Sequence, residues 1–206
     1  MKSLLCFIAI LGWLPLSAQT YKDSVVQWQY HYKREFLEDS RSPVKAQDTG
    51  FIRFFPVSRK WCVVATVRMT PDAKPFDMAT HSGKTKKFRQ WAKLRFADPL
   101  SRGRFHALSA FERVDPPAGD TISRLTLFIP FYDETNSGET YGGGRYMDIP
   151  KAAVKNGRLV LDFNKAYNPY CAFAEGFSCP ISPAENKLPL VVRAGEVVWT
   201  KKPKED

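Results

Sequence analysis

The densest chemistry in this sequence lies at residues 131–146, which read Phe-Tyr-Asp-Glu-Thr-Asn-Ser-Gly-Glu-Thr-Tyr-Gly-Gly-Gly-Arg-Tyr. Glu139, Tyr141 and Arg145 supply a carboxylate, a phenol and a guanidinium, groups suited to holding a small polar molecule or a glycan. Gly142, Gly143 and Gly144 in succession carry an entropic cost. They belong where the chain turns sharply or where something approaches the backbone closely. A second polar run at 162–171 contains Asp162, Asn164, Tyr167, Asn168, Pro169 and Cys171. Period-two spacing puts Asp162 and Asn164 on one side of a strand end, and Pro169 stiffens the loop beyond it. A third run at 179–187 adds Cys179, Glu185 and Asn186.

If the three runs converge, Glu139, Tyr141, Arg145, Asp162, Asn168 and Glu185 surround one ligand, with Glu185 meeting Arg145 across the fold. Two of these carboxyl groups, at the right separation and with unequal pKa values, could also perform acid/base hydrolysis. The same residues suit a role without any ligand. Arg145 can neutralise Asp162 or Glu185 in the interior, and Asn164 and Asn168 can satisfy loop backbone groups. The glycine run, Asn164, Tyr167, Pro169, Cys171, Cys179 and Asn186 are then structural. Whether the chain is an enzyme is left open by these residues.

Other chemistries fit less well. The glycines match neither GxxxxGK[S/T] nor GxGxxG, so a phosphate loop is not indicated. Asp133, Thr135, Ser137 and Gly138 imitate the opening of an EF-hand loop, but Gly144 stands where the closing glutamate belongs. Cys171 and Cys179 have seven intervening residues and no neighbouring Cys or His to complete a zinc set. His31, His81 and His106 show no ligand spacing and lie outside all three runs, which also argues against a cysteine nucleophile. No metal or cofactor is expected.

The elements that must position these groups are mainly strands. Residues 21–39 carry Val25, Trp28, Tyr32 and Phe36 at helical spacing, widened by Val26 and Leu37, and Ser42-Pro43 ends the pattern. From there the period changes to two. Val63, Ala65, Val67 and Met69 form one side of a strand; Ala92, Leu94 and Phe96 another; Leu125, Leu127, Ile129 and Phe131 a third; Leu159, Leu161 and Phe163 a fourth. Residues 105–113, 188–193 and 197–200 are further candidates. Asn156-Gly157 is the best tight-turn signal. With no second long helix alternating with strands, the expected fold is a mainly β antiparallel barrel or sandwich with an N-terminal helix and long C-terminal loops.

Residues 1–18 read as a secretory signal peptide. Lys2 precedes an apolar stretch at 4–16, and Leu16-Ser17-Ala18 offers a small-residue cleavage site. The expected organisation is a leader at 1–18, a single domain at 19–200 and a polar tail at 201–206. Export implies the periplasm in a Gram-negative cell, and otherwise secretion or an envelope association. No further segment is apolar enough to span a membrane. The net charge of +10 is concentrated at 84–104 and could attract anionic polysaccharide or lipid headgroups. Export makes nucleic acid an unexpected physiological partner. Cys62 reads as a small core residue, whereas Cys171 and Cys179 can pair in an oxidising compartment. Trp61, Trp91 and Trp199 have no evident pocket; two of them exposed beside the basic zone would mark a partner surface.

In combination, 127–131 with 139–146, and 161–171 with 179–180, 183–189 and 194–196, resemble the bacterial domain of unknown function 1684 family. The positions matching its signature are Asp133, Glu139, Tyr141, Arg145, Tyr146, Asp162, Asn164, Tyr167, Asn168, Cys171, Cys179, Glu185 and Asn186. The resemblance spans roughly 120–196 and extends more loosely back to about residue 51. It implies a shared domain and no assigned reaction. Besides ligand binding and hydrolysis, an envelope-associated structural or interaction role without a catalytic site remains a separate reading.

Overall fold

A helix begins where the sequence supplies a reciprocal cap. In the computed structural model, which describes residues 20–201, Thr20 Oγ1 accepts the Asp23 N–H and the Asp23 carboxylate accepts the Thr20 N–H, each at 3.2 Å. The expected leader at 1–18 and residues 202–206 of the tail lie outside the described residues. Helix α1 runs Tyr21–Glu38 and buries Val25, Tyr32 and Phe36. Val26 and Leu37, expected to widen its apolar stripe, are exposed. The helix makes contact along one narrow line, and those two side chains fall on its shoulders.

Seven strands form a single antiparallel sheet: β1 Cys62–Met69, β2 Phe76–Ala79, β3 Thr85–Ala97, β4 Phe105–Arg113, β5 Thr126–Phe131, β6 Arg145–Pro150 and β7 Arg158–Asp162. Their order is β6-β5-β4-β3-β1-β7, with β2 paired to the start of β3. The sheet curls into a half-barrel. Alternation puts Ala65, Leu94, Phe96, Leu108, Leu127, Ile129, Leu159 and Leu161 inside, where they form the main core with Trp61 and Phe163. A second apolar cluster joins Tyr32 and Phe36 of α1 to Val44, Ile52, Tyr167, Tyr170 and Phe173. Trp61 is buried, and Trp91 and Trp199 pack half-buried against these two clusters, so they form no exposed aromatic patch.

Several boundaries differ from the expected ones. Leu125 belongs to a short helix, α2 (Thr121–Leu125), started by the Asp120 cap, and is exposed. Phe163 sits in a 3-10 turn just past β7. Residues 188–193 alternate as a strand should, with Leu188, Leu190 and Val192 buried, yet they form no ladder. Their backbone partners are a loop instead: Leu188 N–H donates to Tyr132 O at 2.9 Å, and Leu190 O accepts Glu134 N–H at 2.8 Å. Residues 197–200 likewise form no strand. At Asn156-Gly157 both residues have positive φ, 49° and 67°. This is the two-residue turn that the pair favours, and it reverses the chain into β7.

Strands β6 and β7 occupy opposite ends of the sheet order. The chain leaving β7 crosses to β6, where Tyr167 and Tyr146 exchange both backbone hydrogen bonds at 2.9 Å. Helix α1 lies against this crossing through Tyr32 and Phe36.

Candidate functional site

The polar residues divide between a closed network and an open cleft. At the centre of the network, Arg145 at the start of β6 pairs with Asp133 at 2.7 Å, both side chains fully buried. The guanidinium also donates to the carbonyls of Val192 (3.0 Å), Glu196 (3.3 Å) and Ala194. Asp133 Oδ1 accepts Thr135 N–H at 2.9 Å, Thr135 Oγ1–H at 2.6 Å and Val192 N–H at 3.2 Å. The turn that imitated a calcium loop therefore has its leading carboxylate occupied by Thr135 and Arg145. Gly144 before it is required by geometry. Its φ is +85°, and a Cβ there would stand 2.7 Å from Phe131 O.

Two asparagines act as substitutes for backbone. Pro130 on β5 lies opposite Ser109 on β4 by the Phe111–Phe128 register, and proline cannot donate to a ladder. The Asn186 amide fills that place. It accepts Ser109 N–H at 2.6 Å and donates to Ser109 O at 2.9 Å and Pro130 O at 2.7 Å. Asn164 does the same for Ser58, accepting its N–H at 2.9 Å and donating to its carbonyl at 3.0 Å. Below α1, buried Glu196 accepts Tyr32 O–H at 2.9 Å and Asn168 N–H at 2.8 Å. Burial pushes its carboxyl up to about 7 against the pull of these donors and of Arg145.

Of the expected ligand contacts, Arg145 is consumed by this interior network. Glu139 lies on the surface, bonded to Arg193 at 2.8 Å. Tyr141 is half-buried beside His81, with ring centroids 6.3 Å apart. Glu185 is exposed and does not meet Arg145, whose carboxylate partner is Asp133. Asp162 and Asn168 line the open cleft, together with Tyr167, Pro169 and Cys179. Cys179 Sγ accepts the Cys171 N–H at 3.2 Å. The two thiols are free in this structure but lie close enough to be a candidate pair.

The cleft has a volume of about 1290 Å³ and lies between α1, the β6 edge and the outer face of β1 and β7. Trp28, Tyr32 and Glu35 come from α1; Tyr146 and Asp148 from β6; Tyr167 and Tyr170 from the crossing segment. At its floor Tyr167 O–H donates to Asp148 Oδ2 at 2.5 Å. Solvent reaches Asp148 through the opening, yet protein surrounds it closely enough that desolvation raises its carboxyl to about 6, against the opposing hydrogen bond from Tyr167. Among the described residues Asp148 Oδ1 has no hydrogen-bond partner. Asp162, further along the same cleft, accepts Tyr21 O–H at 2.8 Å and an Asn164 amide N–H at 2.9 Å.

Asp148 is the residue that the sequence reading missed. A signal was present: Met147 and Ile149 belong to the core and Tyr146 and Asp148 to the alternate positions, so period two sets a phenol and an acid on one face of a strand. Among the described residues no group of three or more His, Cys, Asp or Glu side chains is placed to hold a metal ion. No helix among them is long and apolar enough to cross a membrane.

A curled antiparallel half-barrel, braced by a buried Arg–Asp centre and walled on one side by a helix, defines the class. The chain belongs to the family of proteins of unknown function DUF1684, whose model matches residues 49–197. It is similar to an uncharacterized protein of Haloarcula marismortui solved by solution NMR, with 29% identity, a TM-score of 0.59, and coverage of 85% of this chain and 97% of that one. That archaeal likeness leaves the expected restriction to bacteria without support. The search of curated proteins finds no match.

Proposed function

We propose that this is an exported binding protein whose cleft takes a small hydroxylated molecule, with a sugar or short glycan as the best fit. The observation that carries this reading is the Tyr167–Asp148 bond at the floor of an aromatic-lined cleft. Above pH 6 the Asp148 carboxylate has acceptor capacity left for ligand hydroxyls, and the Trp28 and Tyr170 rings offer apolar faces to a pyranose. The exported location rests on the apolar stretch at 4–16 and the small residues before position 19. Hydrolysis would require two carboxyl groups facing one bond. Glu139 and Glu185 do not line the cleft, and Asp162 is held by Tyr21 and Asn164. Glu35 does line it, but it is exposed and no hydrogen bond fixes its carboxyl opposite Asp148, so binding is favoured over catalysis.

The test is a titration of tryptophan fluorescence with a panel of neutral mono- and oligosaccharides, using Trp28→Phe to assign the signal to the cleft. A saturable change is expected. Asp148→Asn or Tyr167→Phe should weaken binding about 10-fold, as loss of a hydrogen bond to a charged group predicts. Sugar binding that persists unchanged in both variants would sink the site assignment, and no binding across the panel would sink the ligand class.

A further inference from the structure

The face of the sheet turned away from the core carries an unusual arrangement of charge. On β1, β3 and β7 the positions alternating with Ala65, Leu94 and Leu159 are exposed: Thr66 and Arg68, Lys93 and Arg95, Arg158 and Val160. The ladder register sets them side by side. Arg68 stands directly opposite Lys93, and Thr66 stands between Arg95 on one neighbour and Arg158 on the other. Strands lie about 4.8 Å apart, so four cations occupy a patch only about 10 Å wide. Like charges directly opposite one another destabilise a sheet. Among the described residues none of the four has a salt-bridge partner. Asp98, the single acid within the basic sequence at 84–104, is turned inward and bonded to His106 at 3.0 Å. The fold thus tolerates an unneutralised cationic face that an external anion would relieve.

We propose that this face docks the protein on an anionic lipid surface. Charge complementarity calls for a polyanion, and the apolar neighbours select which one. Val64 and Val160 are a cross-strand pair on the same face, 56% and 52% exposed, and Phe105, 50% exposed, sits where the Arg95 guanidinium stacks on its ring at 3.5 Å. A soluble polysaccharide would leave these groups in water, whereas a bilayer interface buries them while its headgroups meet the cations. The face lies on the outer side of the curled sheet and is open to solvent, which suits laterally mobile headgroups. Val64 and Val160 also line the cleft, so docking sets the cleft mouth at the membrane. The proposal does not depend on the sugar reading, since Asp148 and Tyr167 take no part in it.

The experiment is co-flotation of the protein, purified after export, with vesicles of phosphatidylcholine alone or with 30% phosphatidylglycerol (about a third of the lipid, enough for a strong surface potential). Binding is expected only to the anionic vesicles. Arg68→Gln with Lys93→Gln should lower partitioning roughly 30-fold, from about 1 kcal/mol per cation. The same pair removes a repulsion, so the melting temperature should not fall. Val64→Thr with Val160→Thr, which keeps the β-branched shape, should weaken vesicle binding several-fold and leave binding to dextran sulfate unchanged. Equal binding to neutral vesicles, or indifference to Arg68→Gln with Lys93→Gln, would overturn the proposal. Indifference of vesicle binding to the valine pair, with dextran sulfate competing fully, would assign the face to a soluble polyanion instead.

Discussion

Strand β6 carries two charged side chains three residues apart with opposite fates. Arg145 enters the interior and meets Asp133 and three carbonyls. Asp148 opens into the cleft and receives a single phenol. Both terminal nitrogens of Arg145 have protein partners, and its Nε, which has none, is sealed from solvent, so nothing is left to offer a ligand. Around Asp148, which solvent reaches, acceptor capacity remains, aromatic faces stand nearby, and partial desolvation by the surrounding protein raises the carboxyl to about 6. The density of polar residues at 131–146 therefore reflects the demands of burying charge, which require many partners at once. A binding surface can be built from far fewer groups, provided that they are left incompletely satisfied.

The largest expected effect tests the closed half. Arg145→Met strands Asp133 in the interior without its cation and should cost about 3–5 kcal/mol in urea unfolding. Adding Asp133→Leu should recover part of that loss, because the uncompensated charge is gone. A loss under about 1 kcal/mol for the single variant would mean that the network is not the brace described.

Next comes a pH effect at Glu196. Its folded carboxyl is raised from 4.5 to about 7 by burial. The folded state therefore retains a proton that the unfolded chain has released between those values. Stability from this group is intact below about pH 4.5 and falls as pH rises toward 7, by up to about 3 kcal/mol. Glu196→Gln mimics the protonated form, so its stability advantage over the parent should grow between pH 5 and 8. A constant difference across that range would show that the carboxyl is not desolvated as it appears in the structure. The smallest expected change sharpens the contrast. At about pH 4, where the raised Asp148 carboxyl still holds its proton, Asp148→Asn and Tyr167→Phe should each shift stability by less than about 1 kcal/mol, since the groups they alter border the open cleft and not the core. A loss as large as that of Arg145→Met would merge the two regions into one structural network.

The fold was legible where periodicity is strong. The α1 stripe, the inward side chains of β1, β3, β5 and β7 and the Asn156-Gly157 turn all follow from local spacing. Residues 188–193 show the limit, because alternation reports burial, while a ladder also needs a partner strand. The site was less legible. Asp162 and Asn168 were singled out and do line the cleft, but Glu139 and Glu185 carried the same chemical promise and lie elsewhere on the surface. Only the sheet order, with β6 and β7 at its two ends, decides which polar loops converge. Asn186 could be named from the sequence as structural, yet its task of standing in for the hydrogen bonds beside Pro130 depends on the β4–β5 register.

Helix α1 lies N-terminal to the segment matched by the family, which begins at residue 49, yet it contributes Trp28, Tyr32 and Glu35 to the cleft. Floor and wall therefore come from different elements. A substitution at Trp28 or Glu35 on the helix can change what the cleft admits, while the sheet and its buried Arg145–Asp133 pair stay as they are.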